Sequence, residues 1–200
     1  MHGFTKVTDT LLLSLLWLVF SIPVVTVGAS CSGLYYAYHK AVRQDGGHVF
    51  QYFWEAFRSN FKRSTVIWLS LLVFEALSLF TCLMLVLMRQ QLPIAGVFGA
   101  MGGVIVCVAL VWGIYALAYQ ARFENSLKAV MKNSALLVVT NAPKSLLLLI
   151  LFGAAAVLTV YRPVLIVVAV AVYVCLTNFI LESVFRNIMT KEDLQAELER

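Results

Sequence analysis

The sequence predicts an all-α fold: a polytopic membrane helix bundle of about five transmembrane helices with a cytoplasmic interfacial amphipathic helix. Three observations predict it. Hydrophobic residues make up 62% of the 200-residue chain and charged residues only 12%, where soluble domains carry roughly 45–50% and about 25%. The apolar residues are gathered into runs near the ~20 residues needed to cross a bilayer. Lys and Arg fall between the runs and mostly on one side, as the orientation rule for membrane helices requires. No linker or composition shift divides the chain, so residues 1–200 form one membrane-embedded domain.

The first span is expected over residues 10–27, because no charge occurs between Asp9 and Lys40. Its end contains a helix break at Pro23, Thr26 and Gly28. Proline removes a backbone donor and clashes with the preceding turn, and Thr and Gly can satisfy or accommodate the gap. Breaks of this kind line binding sites in some transporters. Cys31 follows Ala29-Ser30, but the leucine-type residue of a lipoprotein cleavage site is replaced by Gly28, so the segment reads as a retained span.

An amphipathic helix is expected over 48–62. Phe50, Phe53, Trp54, Phe57 and Phe61 recur at steps of three and four, while Gln51, Glu55, Arg58, Ser59 and Lys62 fill the other positions. A basic helix with an aromatic face lies in the headgroup plane or docks into a groove on a partner. Asp45-Gly46-Gly47, then Gln51 and Phe53, is similar to the coupling loop of permease subunits in sugar-importing ABC transporters. Lys40 stands where that loop has Glu. The partner-docking set is therefore Asp45, Gly46, Phe50, Phe53, Trp54, Phe57 and Phe61.

The second span, 65–88, carries one acid, Glu75. A charge at that depth costs at least ~2.5–3.5 kcal/mol on insertion scales, so Glu75 should be protonated, paired or turned to a cavity. Asn178, Thr177 or a tyrosine hydroxyl are the available partners. The third span, 93–119, holds Gly99-x-x-x-Gly103 and Gly113, small residues that let helices pack closely. The fourth, 145–161, is short, and Pro143 leaves open whether 135–161 is one broken helix or two. The fifth is 163–181, with Glu182 just past it at the rim. Glu192, Asp193, Glu197 and Glu199 suggest a short solvated tail helix.

With five spans, twelve Lys and Arg lie on one side and three, Lys6, Arg89 and Arg162, on the other. The basic side is expected to be cytoplasmic, with the N-terminus outside and the C-terminus inside. His2, His39 and His48 have no metal-ligand spacing, and the chain lacks a phosphate loop, a nucleophile elbow and paired acids. No enzyme, metal, cofactor or nucleic-acid partner is expected; the bilayer is.

Pro23-Val24-Val25-Thr26-Val27-Gly28 with Leu34-Tyr35-Tyr36 resembles the N-terminal signature of the YesL family of bacterial membrane proteins. Phe53 to Lys62, Arg122-Phe123 with Asn125-Ser126-Leu127-Lys128, and Val184-Phe185 are similar to its later blocks. The resemblance implies a bacterial plasma-membrane protein associated with carbohydrate ABC importers. Its partners would be the permease and ATPase subunits, or a sensor kinase if the chain regulates a carbohydrate-sensing two-component system. A small stand-alone transporter using Glu75 and the Pro23 break is the further alternative.

Overall fold

The structure, a computed structural model, describes residues 2–189 apart from 91 and 124, and the side chains of residues 2–4, 89 and 93 lie outside the description. The acidic tail expected to form a short helix also lies outside the described residues. Among these, every regular element is helical: α1 (His2–Phe20), α2 (Val27–Ala37), α3 (Val49–Leu87), α4 (Pro93–Arg122), α5 (Leu127–Thr140), α6 (Ala142–Tyr161) and α7 (Ile166–Phe185). Helices α3, α4, α6 and the stretch Pro163–Phe185 are long and apolar enough to cross a membrane. The helix bundle thus stands, with four such elements among the described residues rather than five.

The difference lies in the first segment. α1 stops at Phe20 because Pro23 cannot continue it, and the chain turns through Ser21–Pro23 and one tight turn, Val24–Thr26. The Thr26 hydroxyl donates to the carbonyls of Phe20 (2.6 Å) and Pro23 (2.7 Å), and the Trp68 indole donates to that of Val24 (2.8 Å). Carbonyls freed by the break are thereby satisfied. α2 then runs back along α1: Trp17 donates to Cys31 Sγ (3.3 Å), and Lys6 pairs with Asp45 at 2.7 Å. The expected span 10–27 is therefore one arm of a helical hairpin that returns to its starting end.

The expected amphipathic helix 48–62 is not separate from span two. No Gly or Pro occurs between Val49 and Leu87, so nothing interrupts the 39-residue α3. α4 begins with Pro93 at its first position, where a missing N–H costs nothing. The segment 135–161 resolves into two helices: α5, whose Ser126 hydroxyl accepts from the Ala129 amide, and α6, separated by a break at Asn141.

α3 and α4 are antiparallel along their length. A methyl group on Gly99 would lie 2.9 Å from Val86, and one on Gly113 would lie 3.1 Å from Leu71. Gly103, expected to share this packing face, has open space around it instead; Gly102 faces Cys82. Where α2 meets α3 and α4, the buried Ser32 and Ser64 hydroxyls bond at 2.8 Å, and Ser32 reaches the Leu117 carbonyl at 3.3 Å. Two apolar clusters follow. One centres on Tyr115, Leu148, Leu181 and Phe185, the other on Leu13, Ala37, Phe53 and Val174.

Candidate functional site at the basic end of the bundle

The four long helices define two ends. Arg89 and Arg162 occupy the turns at one end. Lys6, Lys40, Arg43, Arg58, Lys62, Arg63, Arg122, Lys128, Lys132, Lys144 and Arg186 belong to the segments at the other. Lys6 was expected opposite this cluster; its ion pair with Asp45 places it within it.

A buried polar knot ties α2, α4 and α7 together here. Glu182 is 1% exposed, and one of its oxygens, Oε1, receives three groups: the Tyr35 hydroxyl at 2.9 Å, His39 Nδ1 at 3.4 Å and Arg122 Nε at 3.4 Å. A buried carboxylate needs a paired cation, and Arg122 supplies it. The Gln44 amide nitrogen lies 3.3 Å from His39 Nε2. An amide N–H donated there leaves the imidazole proton on Nδ1, facing Glu182. Burial and the Glu182 charge push the Tyr35 phenol well above its usual range, so it stays a hydrogen-bond donor. His39 and Arg43 reach this region because Tyr38–Arg43 forms a wider, π-helical turn at the end of α2. Arg43 donates to the Asn178 side-chain oxygen (3.3 Å) and carbonyl (3.4 Å) and lies 6.0 Å from the Phe179 ring centre.

Asn178 is fully buried and engaged by Arg43, not by Glu75, which it was expected to partner. Glu75 sits alone on α3, and both carboxyl oxygens lack a hydrogen-bond partner among the described residues. Nothing else of the expected site reaches it.

The expected docking stripe divides. Phe53 is fully buried and Phe57 8% exposed, stacked on each other and on Phe20 at ring separations of 5.2–6.1 Å. Gly33 of α2 presses on Phe53 so closely that an added methyl would lie 3.2 Å from its carbonyl. These two rings hold α1 and α2 onto α3 and have no face left for a partner. Phe61 is half-buried and meets Phe57 edge-on. Phe50 and Trp54, 56% and 41% exposed, remain open one turn apart. Beside them the loop 44–48 turns sharply: Asp45 (φ 56°), Gly47 (φ 61°) and His48 (φ 43°) adopt left-handed conformations. Gly46 packs so tightly on the Lys40 carbonyl that a methyl would come within 2.9 Å. Asp45 stays exposed, held by Lys6.

Between the first half of α3 and the end of α4 runs an open groove of about 1120 Å³, lined by Trp54, Arg58, Asn60, Lys62, Arg63 and Gln120 among others. Sequence reasoning missed both groove and knot. The available signal was an acid closing one apolar run, Glu182, and an arginine closing another, Arg122, since ionisable groups at such depth need each other. Among the described residues, no group of three or more His, Cys, Asp or Glu side chains is gathered to hold a metal ion.

Residues 10–88 match the model of a family described as "Protein of unknown function, DUF624". The match covers most of the first hairpin, the 44–48 loop and all of α3. No curated protein and no solved structure matches the chain.

Proposed function

We propose that this chain is a non-catalytic integral membrane subunit of a carbohydrate ABC importer in a bacterial plasma membrane, docking permease and ATPase through the connection that follows its first hairpin. One observation carries the reading: Phe50 and Trp54 stand exposed beside the rigid, Lys6-pinned Asp45 loop at the end where the bundle is otherwise charged. Large aromatic side chains on a preorganised, charge-rimmed surface are the usual anchors of protein interfaces. The likeness of Asp45-Gly46-Gly47 and Gln51 to permease coupling loops, and of four sequence blocks to the YesL family, supports the importer as partner. The strong basic bias supports a cytoplasmic location for this end. On this reading Lys6 and the end of α7 both face the cytoplasm, which replaces the outside N-terminus that five spans required.

The test is purification of the tagged chain with its native lipids. Permease and ATPase should accompany the wild-type protein. Replacing Phe50 and Trp54 together by Ala should lower their recovery roughly 30-fold, the effect of losing about 2 kcal/mol of anchor contact, while the chain itself remains inserted and folded. Equal recovery with both proteins, or recovery with neither, would overturn the proposal. A sensor kinase in place of the importer would transfer the docking surface to the regulatory alternative.

A further inference from the structure

We infer that the groove between α3 and α4 is a binding site for an anionic phospholipid whose headgroup carries hydroxyls, phosphatidylglycerol being the chemical type. Three features of the groove converge on that ligand.

The first is charge. Arg58, Lys62 and Arg63 line the α3 wall, and none forms an ion pair with a described residue. Arg58 and Lys62 are four residues apart on one helix, a spacing at which like charges repel. A phosphodiester between them removes that repulsion. Arg122 also lines the groove but is committed to Glu182, and Glu55 is the one acid of the lining. The phosphate therefore belongs at the Arg58–Arg63 stretch.

The second is an unused acceptor. Gln120 is 3% exposed; its amide nitrogen donates to Asn60 Oδ1 at 3.2 Å, while its own oxygen is buried without a hydrogen-bond partner. An acceptor left in that state costs about 1–3 kcal/mol in a folded protein. A headgroup hydroxyl can donate to it; a choline headgroup has no such donor.

The third is position. Arg63, Val66, Leu69 and Val73 follow one another at helical steps on α3, all exposed. The stripe leads from the cationic wall directly onto the apolar surface of the membrane-crossing part of α3. A lipid seated by its phosphate would lay its acyl chains along it. Basic pockets at helix ends on the cytoplasmic side hold anionic headgroups in this way. Trp54 and Tyr36 at the groove complete an interfacial setting.

The shared chemistry is a phosphodiester or phosphate ester bearing a free hydroxyl, so soluble glycerol 3-phosphate is the competing source. The full chain in detergent would be titrated by native mass spectrometry with phosphatidylglycerol, phosphatidylcholine and glycerol 3-phosphate. Phosphatidylglycerol should bind at least tenfold better than either of the others, with "at least tenfold" set by roughly one lost charge contact plus one lost hydrogen bond. Lys62→Gln with Arg63→Gln should weaken it roughly 30-fold, since each basic residue near an anionic surface is worth a factor of about five. Lys132→Gln with Arg186→Gln removes equal charge from exposed positions at the same end, outside the groove, and should change binding by less than about threefold. Both double variants keep the wild-type melting temperature if the exposed side chains carry no packing. Equal binding of phosphatidylcholine, equal loss in the two double variants, or glycerol 3-phosphate binding as tightly as the lipid would each overturn the proposal. The purified chain is tested without the importer, so failure of the docking reading leaves this result unaffected.

Discussion

At Gly28 a methyl group would collide with Trp68 Cβ and lie 2.5 Å from the Ser64 carbonyl oxygen. Neither obstacle is a flexible side-chain end, so Gly28→Ala must push α2 off α3. Overpacking of this kind costs roughly 1–3 kcal/mol, and a lowered melting temperature in detergent, with broken Ser32–Ser64 contact, is the expected outcome. An unchanged melting temperature would show that α2 yields freely. Glu182 makes a second, sharper case. Glu182→Gln leaves Arg122 buried beside a neutral group, and breaking one partner of a buried ion pair costs about 3–5 kcal/mol. Adding Arg122→Gln should restore part of that loss. A double-mutant cycle in a chemical or thermal unfolding assay measures the coupling; strictly additive losses would mean the two side chains do not act as a pair.

α3 shows what a periodic pattern does and does not reveal. The aromatic repeat at 50, 53, 54, 57 and 61 was legible as a helix face, and the helix is there. Which members would be covered was not legible, because that depends on Phe20 and Gly33, which reach Phe53 and Phe57 only after Pro23 has folded α1 back onto α2. Phe57→Ala should accordingly cost stability, roughly 3–5 kcal/mol for a buried phenylalanine, whereas Trp54→Ala should leave the melting temperature nearly unchanged. A reversal of that order would contradict the packing. The same limit applies to the polar knot. Tyr35, His39, Arg122 and Glu182 span 147 residues of sequence between first and last, and no local spacing announces them. The span lengths at 65–88, 93–119 and 163–181 were readable from hydropathy, since each helix buries its own backbone groups irrespective of its neighbours.

For the molecule as a whole, the number of crossings is what hydropathy alone could not supply. An apolar run that ends in Ser21-Ile22-Pro23 can pass through a bilayer or fold back, and the Lys6–Asp45 pair shows the second outcome. Single cysteines placed at Val7 and at Gly47 should be labelled from the same side of the membrane, and one at Val164 from the opposite side. Labelling of Val7 and Gly47 from opposite sides would overturn the four-crossing arrangement. The hairpin also bears on how such a topology is inherited and assembled. Because α1 and α2 together contribute no net passage, they behave as an even unit: a gain, loss or late insertion of the pair leaves the sidedness of everything downstream unchanged. The first apolar segment that emerges during synthesis is thus relieved of deciding orientation, and that decision falls to α3, with Arg58, Lys62 and Arg63 waiting at its near end to make it.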